Sequence, residues 1–367
     1  MKPDYEGRNW AVYNADCVEA LAGMPDDCID TAVFSSPFSS LYIYSDSERD
    51  MGNAASHDEF LRHHLFMARE LYRVMKPGTV ICDHVKDTVF YSNSSETGES
   101  GIFPFSDAAL ANYRAAGFVL RARTTVWRCP VMERSKSNPE RLLYKNIGLN
   151  SRVCAPGMPE YILTMRKDAA GVKVGDPVQH VVDKDGDDAR RFYRGYGGKV
   201  AEMAAAGANA VDLKEVAGRQ IAEDHARRMV VAGMIEGWDD DLLQRLAEAA
   251  HFPLSQWQEW ASPVWMDTQS TKVLNSRFKG RGDEKHICPM PLDLIERCLT
   301  LYSNPGDVVL DPFNGIGSTG YQAIKMGRRY LGVELKPEYA AQASRFLAEA
   351  EASKGTLFDA IPAMAAE

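Results

Sequence analysis

Residues 307–334 read DVVLDPFNGIGSTGYQAIKMGRRYLGVE. Asp307–Leu310 is an apolar, β-branched run, and the turn Gly315-Ile316-Gly317-Ser318-Thr319-Gly320 follows closely. Ser318–Met326 has helical spacing and closes at Gly327; Arg329–Val333 is a second apolar run ending in Glu334. Strand, glycine turn, helix, strand and terminal acid make a nucleoside-binding βαβ unit. The glycines let backbone approach a ligand closely, and the helix start offers unpaired N–H groups. Glu334, at the tip of the second strand, can accept both hydroxyls of a ribose.

Gly315–Gly320 satisfies the dinucleotide pattern G-x-G-x-x-G, so a nicotinamide cofactor has to be weighed. Position argues against it. Only residues 335–367 follow Glu334, room for one helix, whereas a dinucleotide fold needs further βα units. The other strands must come from the N-terminal half, which predicts an α/β, Rossmann-like sheet closed by both chain ends. Asp311 puts a carboxylate where a pyrophosphate would approach, and that carboxylate suits an ammonium. A ligand carrying both a ribose and an amino-acid ammonium is S-adenosylmethionine.

Working outward, Trp10–Tyr13 reads as a strand, Cys17–Ala22 as a short helix and Ile29–Phe34 as a buried strand. That strand runs into Ser35-Ser36-Pro37-Phe38, where proline stops it. A Ser/Asp/Tyr-rich loop follows, through Tyr42, Tyr44, Asp46 and Arg49 to Asn53, as binding loops often do. Ser56 and Glu59 form a capping box for a helix whose apolar face runs from Phe60 to Met75, ended by Lys76-Pro77-Gly78. Thr79–Val85 is a strand, 91–104 a Ser/Gly loop, and Asp107–Ala116 a helix stopped by Gly117. Phe118–Trp127 and Tyr161–Arg166 read as strands, and Pro291–Tyr302 and the stretch from Pro337 as helices.

Composition changes after Lys167. Residues 169–198 are Gly/Asp-rich and read as a linker, and 199–250 are Ala-rich with helical spacing. The expected organisation is one catalytic domain built from 1–168 and 252–367. Residues 169–251 form the linker and a helical insertion, either a target-recognition or dimer element or a plain spacer.

The chain has 367 residues, 45% hydrophobic and 25% charged, with a net charge of −9. That is an ordinary globular composition and excludes whole-chain disorder. No apolar run is long enough for a membrane helix, and MKPDYEGRNW has no signal-peptide core, so a cytoplasmic protein is expected. The seven cysteines contain no C-x-x-C and H-E-x-x-H is absent; reduced thiols and no metal site are expected. Net acidity argues against a nonspecific nucleic-acid coat. Charge is local, however: Arg121, Arg123, Arg128, Arg134, Lys136, Arg141 and Lys145 face only Glu133 and Glu140 in their segment. A second basic segment runs from Lys272 through Arg277 to His286.

Taken together, these motifs resemble the amino-methylating DNA methyltransferases, in the group whose catalytic motif precedes the cofactor motif. The family's catalytic motif is Asp, Asn or Ser, then Pro-Pro, then an aromatic residue. Ser35, Pro37 and Phe38 match it, and Ser36 departs by replacing the first proline. Asp311-Pro312-Phe313-Asn314-Gly315-Ile316-Gly317 is similar to the cofactor motif. Asn14-Ala15-Asp16-Cys17 resembles the adenosine-contacting segment, and His286-Ile287-Cys288-Pro289 the N-terminal cofactor segment. The Ser39–Asn53 loop and Ala261–Trp265 look phage-like. The likeness covers about 1–168 and 252–350.

The resemblance implies S-adenosylmethionine as cofactor, bound by Asp16, Cys17, His286, Pro289, Asp311, Phe313, Asn314, Gly315, Gly317, Ser318, Thr319 and Glu334. It implies double-stranded DNA as partner, with base flipping, and allows a homodimer and a restriction–modification role. Ser35 Oγ and the Ser36 carbonyl would accept the two protons of an exocyclic amino group, and Phe38 would stack on the flipped base. Serine at 36 is expected to weaken preorganisation. Asp46, Arg49 and Asn53 would order the loop around the target base, or form only a local salt bridge. Arg123, Arg128, Arg134, Lys136, Lys272 and Arg277 would contact DNA. No Pro-Cys dipeptide exists, which argues against C5-cytosine chemistry. Serine at 35 leans towards N4-cytosine over N6-adenine. Two other readings remain: methylation of RNA or a protein amide, and a catalytically silent cofactor- or DNA-binding protein.

Overall fold

The computed structural model describes residues 2–39, 45, 47–90, 98, 101–129, 158–168, 259–274 and 289–353. Eleven strands and six α-helices lie within them. The strands are β1 (Tyr5–Glu6), β2 (Trp10–Asn14), β3 (Ile29–Phe34), β4 (Met75–Lys86), β5 (Thr88–Phe90), β6 (Gly101–Phe103), β7 (Val119–Val126), β8 (Glu160–Arg166), β9 (Val264–Trp265), β10 (Val308–Asp311) and β11 (Arg329–Glu334). The helices are α1 (Cys17–Ala22), α2 (His57–Val74), α3 (Phe105–Ala116), α4 (Leu292–Tyr302), α5 (Ser318–Lys325) and α6 (Pro337–Ser353).

Nine strands form one sheet in the order β1-β2-β11-β10-β3-β4-β8-β7-β9. Its centre, β2-β11-β10-β3-β4, is parallel throughout. The two halves of the chain interleave there: β11 pairs with β2, Tyr330 opposite Trp10, and β10 pairs with β3, Val309 opposite Thr31. The sheet is thus closed by both ends of the chain. β8 runs antiparallel between β4 and β7.

Central strands buried on both faces need apolar side chains at successive positions. In β3, Ala32 and Phe34 enter one core and Val33 the other; Leu310 and Val309 divide in the same way. One core is completed by α1, α2 and α3, the other by α4, α5 and α6. Gly320 lets α5 close on the sheet: a Cβ there would lie 2.4 Å from the Tyr330 ring and 2.6 Å from Leu347.

Ser56 caps α2, accepting from the Glu59 N–H, and Gly117 ends α3 in the left-handed conformation (φ 114°). Three local expectations change. α2 stops at Val74, and Lys76-Pro77-Gly78 lies within β4, because Met75 already pairs with Ile29 before the register shifts. The stretch 91–104 was expected to be loop, yet Gly101–Phe103 pairs with Thr88–Phe90 as a small separate hairpin. α3 starts at Phe105 rather than Asp107, with the Ser106 N–H held by the Asp87 carboxylate. Residues 169–251, the expected linker and insertion, lie outside the described residues. No helix among the described residues is long and apolar enough to cross a membrane.

Candidate active site

The chain leaves β10 towards β11 and leaves β3 towards β4, on opposite sides. In open parallel sheets the crevice at the carboxyl ends of such strands is where ligands bind. A cleft of about 990 Å³, counting its open mouth, lies there. Loops following β2, β3, β10 and β11 all reach it. Asp16 and Cys17, the Ser35–Phe38 turn, Pro289, the Asp311–Gly315 loop, Ser318, Thr319 and Glu334 line it. Segments more than 300 residues apart in sequence, Asp16 and Glu334 among them, therefore face one space.

The glycine loop is built for close approach. Gly315 (φ 52°) and Gly317 (φ 86°) are both left-handed, and Gly317 opens α5. Asn314 ties the loop to the sheet: its Oδ1 accepts from the Tyr330 hydroxyl at 2.7 Å and its backbone N–H donates to the Val333 carbonyl. Two carboxylates define the cleft's chemistry. Asp311 accepts from the Phe313 N–H at 2.9 Å, and burial pushes its carboxyl up to about 7. Glu334 accepts from the Gly315 N–H at 2.7 Å and the Lys336 N–H at 2.9 Å, yet burial still pushes it up to about 7. Each carboxylate oxygen has a second lone pair to offer. Asp16 caps α1 by accepting from the Val18 and Glu19 N–H groups. The Cys17 thiol is buried and held far above its ordinary pKa.

The Ser35–Phe38 turn is fixed from below. Ser35 Oγ donates to the His84 carbonyl at 2.9 Å and lies 3.4 Å from His84 Nδ1. Ser36 donates its backbone N–H and its hydroxyl to the two oxygens of Asp83, each at 2.9 Å. Tyr113 also donates to Asp83 at 2.8 Å. Burial nevertheless raises the Asp83 carboxyl to about 6. Position 36, where serine was expected to weaken preorganisation, is tied to a side chain the motif does not contain. Phe38 is buried, edge-on to Phe105 at 6.3 Å and to His84 at 6.2 Å.

Asp50 organises the loop beside the turn. It accepts from Ser45 N–H at 2.7 Å and from Gly52 N–H at 2.8 Å. Asn53 donates to the Ser45 and Ser47 carbonyls. Arg49 lines the cleft and pairs with Glu19 at 2.8 Å, both more than half exposed. Sequence reading missed Asp50, Asp83 and Tyr113; an Asp two residues before a glycine was the available sign for the first, as an Asx turn.

The basic candidates divide. Arg128, expected on DNA, is instead buried (side chain 7% exposed) and paired with Glu160. Arg123 pairs with Asp107 and lies over the Tyr161 ring. Lys272, 39% exposed, approaches Glu296 at 3.8 Å. Arg134, Lys136, Arg277 and His286 lie outside the described residues. No cluster of three metal-ligating side chains occurs among the described residues.

Comparison with known proteins gives three results. A 66-residue segment is 47% identical to the type II methyltransferase M1.MboII of Moraxella bovis, covering 18% of this chain and 25% of that protein. A 64-residue segment is 44% identical to the DNA adenine methyltransferase YhdJ of Escherichia coli K12, covering 17% and 22%. The matched segments thus span about a quarter of those relatives. In fold, the chain is similar to a DNA modification methylase of Thermus thermophilus complexed with S-adenosyl-L-methionine (TM-score 0.54, 21% identity, 92% and 93% of the two chains). It is also similar to the cytosine-N4-specific PvuII DNA methyltransferase (TM-score 0.51, 16% identity, 96% and 95%). The sequence model of the DNA methylase family, N6/N4 type, matches residues 29–345, and the chain belongs to that family.

Proposed function

We propose that the protein transfers a methyl group from S-adenosylmethionine to an exocyclic amino group of a base flipped out of double-stranded DNA. The observation that carries this reading is the meeting of the Ser35–Phe38 turn with Asp311 and Glu334 in one cleft. The donor set fits the cofactor. Buried Asp311 gains a counter-charge from an amino-acid ammonium, Glu334 retains acceptor capacity for a ribose, and the left-handed glycines admit the ligand beside the backbone. When bound, the cofactor supplies an electrophilic methyl on a sulfonium.

The protein's own residues position the acceptor. An exocyclic amino nitrogen is a weak nucleophile because its lone pair is delocalised into the ring. Ser35 Oγ and the Ser36 carbonyl accept its two protons and draw it towards tetrahedral geometry. Asp83 ties the turn at the edge of the cleft, and Phe38 stacks on the base. Orientation of this kind supplies most of the rate.

Serine at 35 supports N4-cytosine. The identity to a DNA adenine methyltransferase supports N6-adenine as the second reading. The protein is to be incubated with S-adenosylmethionine and unmethylated mixed-sequence duplex DNA, then nucleosides are analysed by mass spectrometry beside a Ser35→Ala control. N4-methylcytosine is the expected product; N6-methyladenine assigns the other base. Cofactor binding by calorimetry without any methylated base overturns the proposal in favour of a silent binding protein. Product on RNA or on a protein amide, with none on DNA, replaces the substrate.

A further inference from the structure

We infer that His84 and Glu160 form a proton-accepting relay behind Ser35, a positioning device that deepens the methyltransferase reading and rests on it. The catalytic motif itself contains neither residue. His84, on β4, is 4% exposed, and its Nε2 lies 2.8 Å from Glu160 Oε2 on β8. Its other ring nitrogen, Nδ1, faces Ser35 Oγ at 3.4 Å. β4 and β8 fix this geometry by pairing antiparallel, with His84 opposite Ile162 and Lys86 opposite Glu160.

The protonation states follow from the partners. Glu160 is paired with Arg128 and has Lys86 at 3.7 Å; against the opposing effect of burial, its contacts with His84 and then Arg128 hold its carboxyl well below the usual range. An ionised carboxylate only accepts, so Nε2 must carry the imidazole hydrogen. A neutral His84 therefore has its lone pair on Nδ1, directed at Ser35. The Ser35 hydroxyl donates to the His84 carbonyl at 2.9 Å and can swing to Nδ1, leaving its oxygen free to accept an amino proton from a base.

The proton balance closes. As the new N–C bond forms and the methyl–sulfur bond breaks, the sulfonium becomes a neutral thioether and the nitrogen becomes cationic. One N–H proton then passes to Ser35 Oγ, and the Ser35 proton passes to His84 Nδ1. The product is a neutral methylamino base and an imidazolium facing the Glu160 carboxylate. The charged groups around His84 are Glu160 on β8, Arg128 beyond β7, and Lys86 and Asp83 on its own strand. Asp83 is engaged by Ser36 and Tyr113. Phe38 covers the ring edge-on.

The test combines a nitrogen-15 spectrum with single-turnover kinetics. In histidine-labelled protein without cofactor, the signal lost in His84→Gln is expected to be the tautomer protonated at Nε2; one protonated at Nδ1 overturns the relay. Wild-type methyl transfer is expected to fall on acidification, because a protonated imidazole has no lone pair left to accept a proton. His84→Gln keeps a donor for Glu160 but cannot take a proton. Its transfer is expected to be about 10²-fold slower, a typical loss for proton transfer by a positioned group, and to lack that acidic limb. Its cofactor affinity by calorimetry is expected to match wild type. A folded His84→Gln with wild-type rate and the same limb overturns the relay alone. If that variant does not fold, Glu160→Gln replaces it, with a slower rate and a displaced limb expected, and an unchanged profile overturning. No methylated base from wild type at any pH removes the methyltransferase reading, and the relay with it.

Discussion

Ser36 gives both its backbone N–H and its hydroxyl to the carboxylate of Asp83, a residue 47 positions away on the neighbouring parallel strand. The family's proline at this position could offer neither donor. The departure at 36 and the buried acid on β4 go together: the turn is tied by hydrogen bonds where the family's motif has a ring.

Restoring the proline is therefore expected to harm the protein. Ser36→Pro strips two donors from a fully buried carboxylate and should cost roughly 2–3 kcal/mol, while Ser36→Ala, which keeps the N–H, should cost about 1 kcal/mol. Chemical denaturation measures both. A Ser36→Pro variant as stable as wild type would show that Asp83 does not need this partner.

Four buried acids predict an unusual pH dependence. Asp83 and Asp307 are raised to about 6, and Asp311 and Glu334 to about 7, chiefly by burial. Folded protein then binds protons that unfolded chain releases, so stability is greatest below the ordinary carboxylate range and falls as pH rises towards 7. His64, pushed down to about 4 by burial, and His57, also lowered by burial, act in the opposite sense. Cofactor-free protein should melt higher at pH 5 than at pH 7. Asp311→Asn should raise the pH 7 melting temperature and weaken S-adenosylmethionine binding. A melting temperature that climbs from pH 5 to 7, with Asp311→Asn destabilising, contradicts this.

Phe38 packs against Phe105, and one substitution can separate that packing from its proposed stacking on the base. Phe38→Leu retains most of the packing against Phe105 and should cost less than about 2 kcal/mol of stability. Loss of the aromatic face should weaken capture of a flipped base by about 1–3 kcal/mol, read as slower methylation at subsaturating DNA. Unchanged methylation would remove the stacking role.

Arg128 belongs to the interior. Truncation leaves Glu160 buried without its guanidinium partner, so Arg128→Ala should destabilise by roughly 3–5 kcal/mol. The salt dependence of DNA binding by the surviving folded protein should not change. A shallower salt slope with unchanged stability would return this residue to the DNA surface.

Much of the frame was legible before any coordinates. α1 and β3 have the boundaries read from apolar spacing, and Glu334 ends β11 as the terminal acid of the βαβ unit. Both follow from local rules: buried parallel strands are short apolar runs, and glycine and asparagine turns punctuate them. The hairpin of β5 and β6 was not legible, because three-residue strands carry too little pattern to separate from a Ser/Gly loop.

The site divides the same way. Order and spacing pointed to the glycine turn and to the need for strands from both chain ends, and the family resemblance singled out the Ser35–Phe38 turn, since each is a contiguous signal or a matter of counting. Only the tertiary structure decided what stands behind them. Asp83 reaches Ser36 and Glu160 reaches His84 because β4 pairs with β3 on one side and β8 on the other. Arg128 left the DNA-facing set for the same reason: a charged residue's sequence neighbours do not reveal whether a buried acid on another strand will claim it. Local propensity is written along the chain, whereas the partner of a buried polar group is set by strand order and register, which bring together residues that no short window contains.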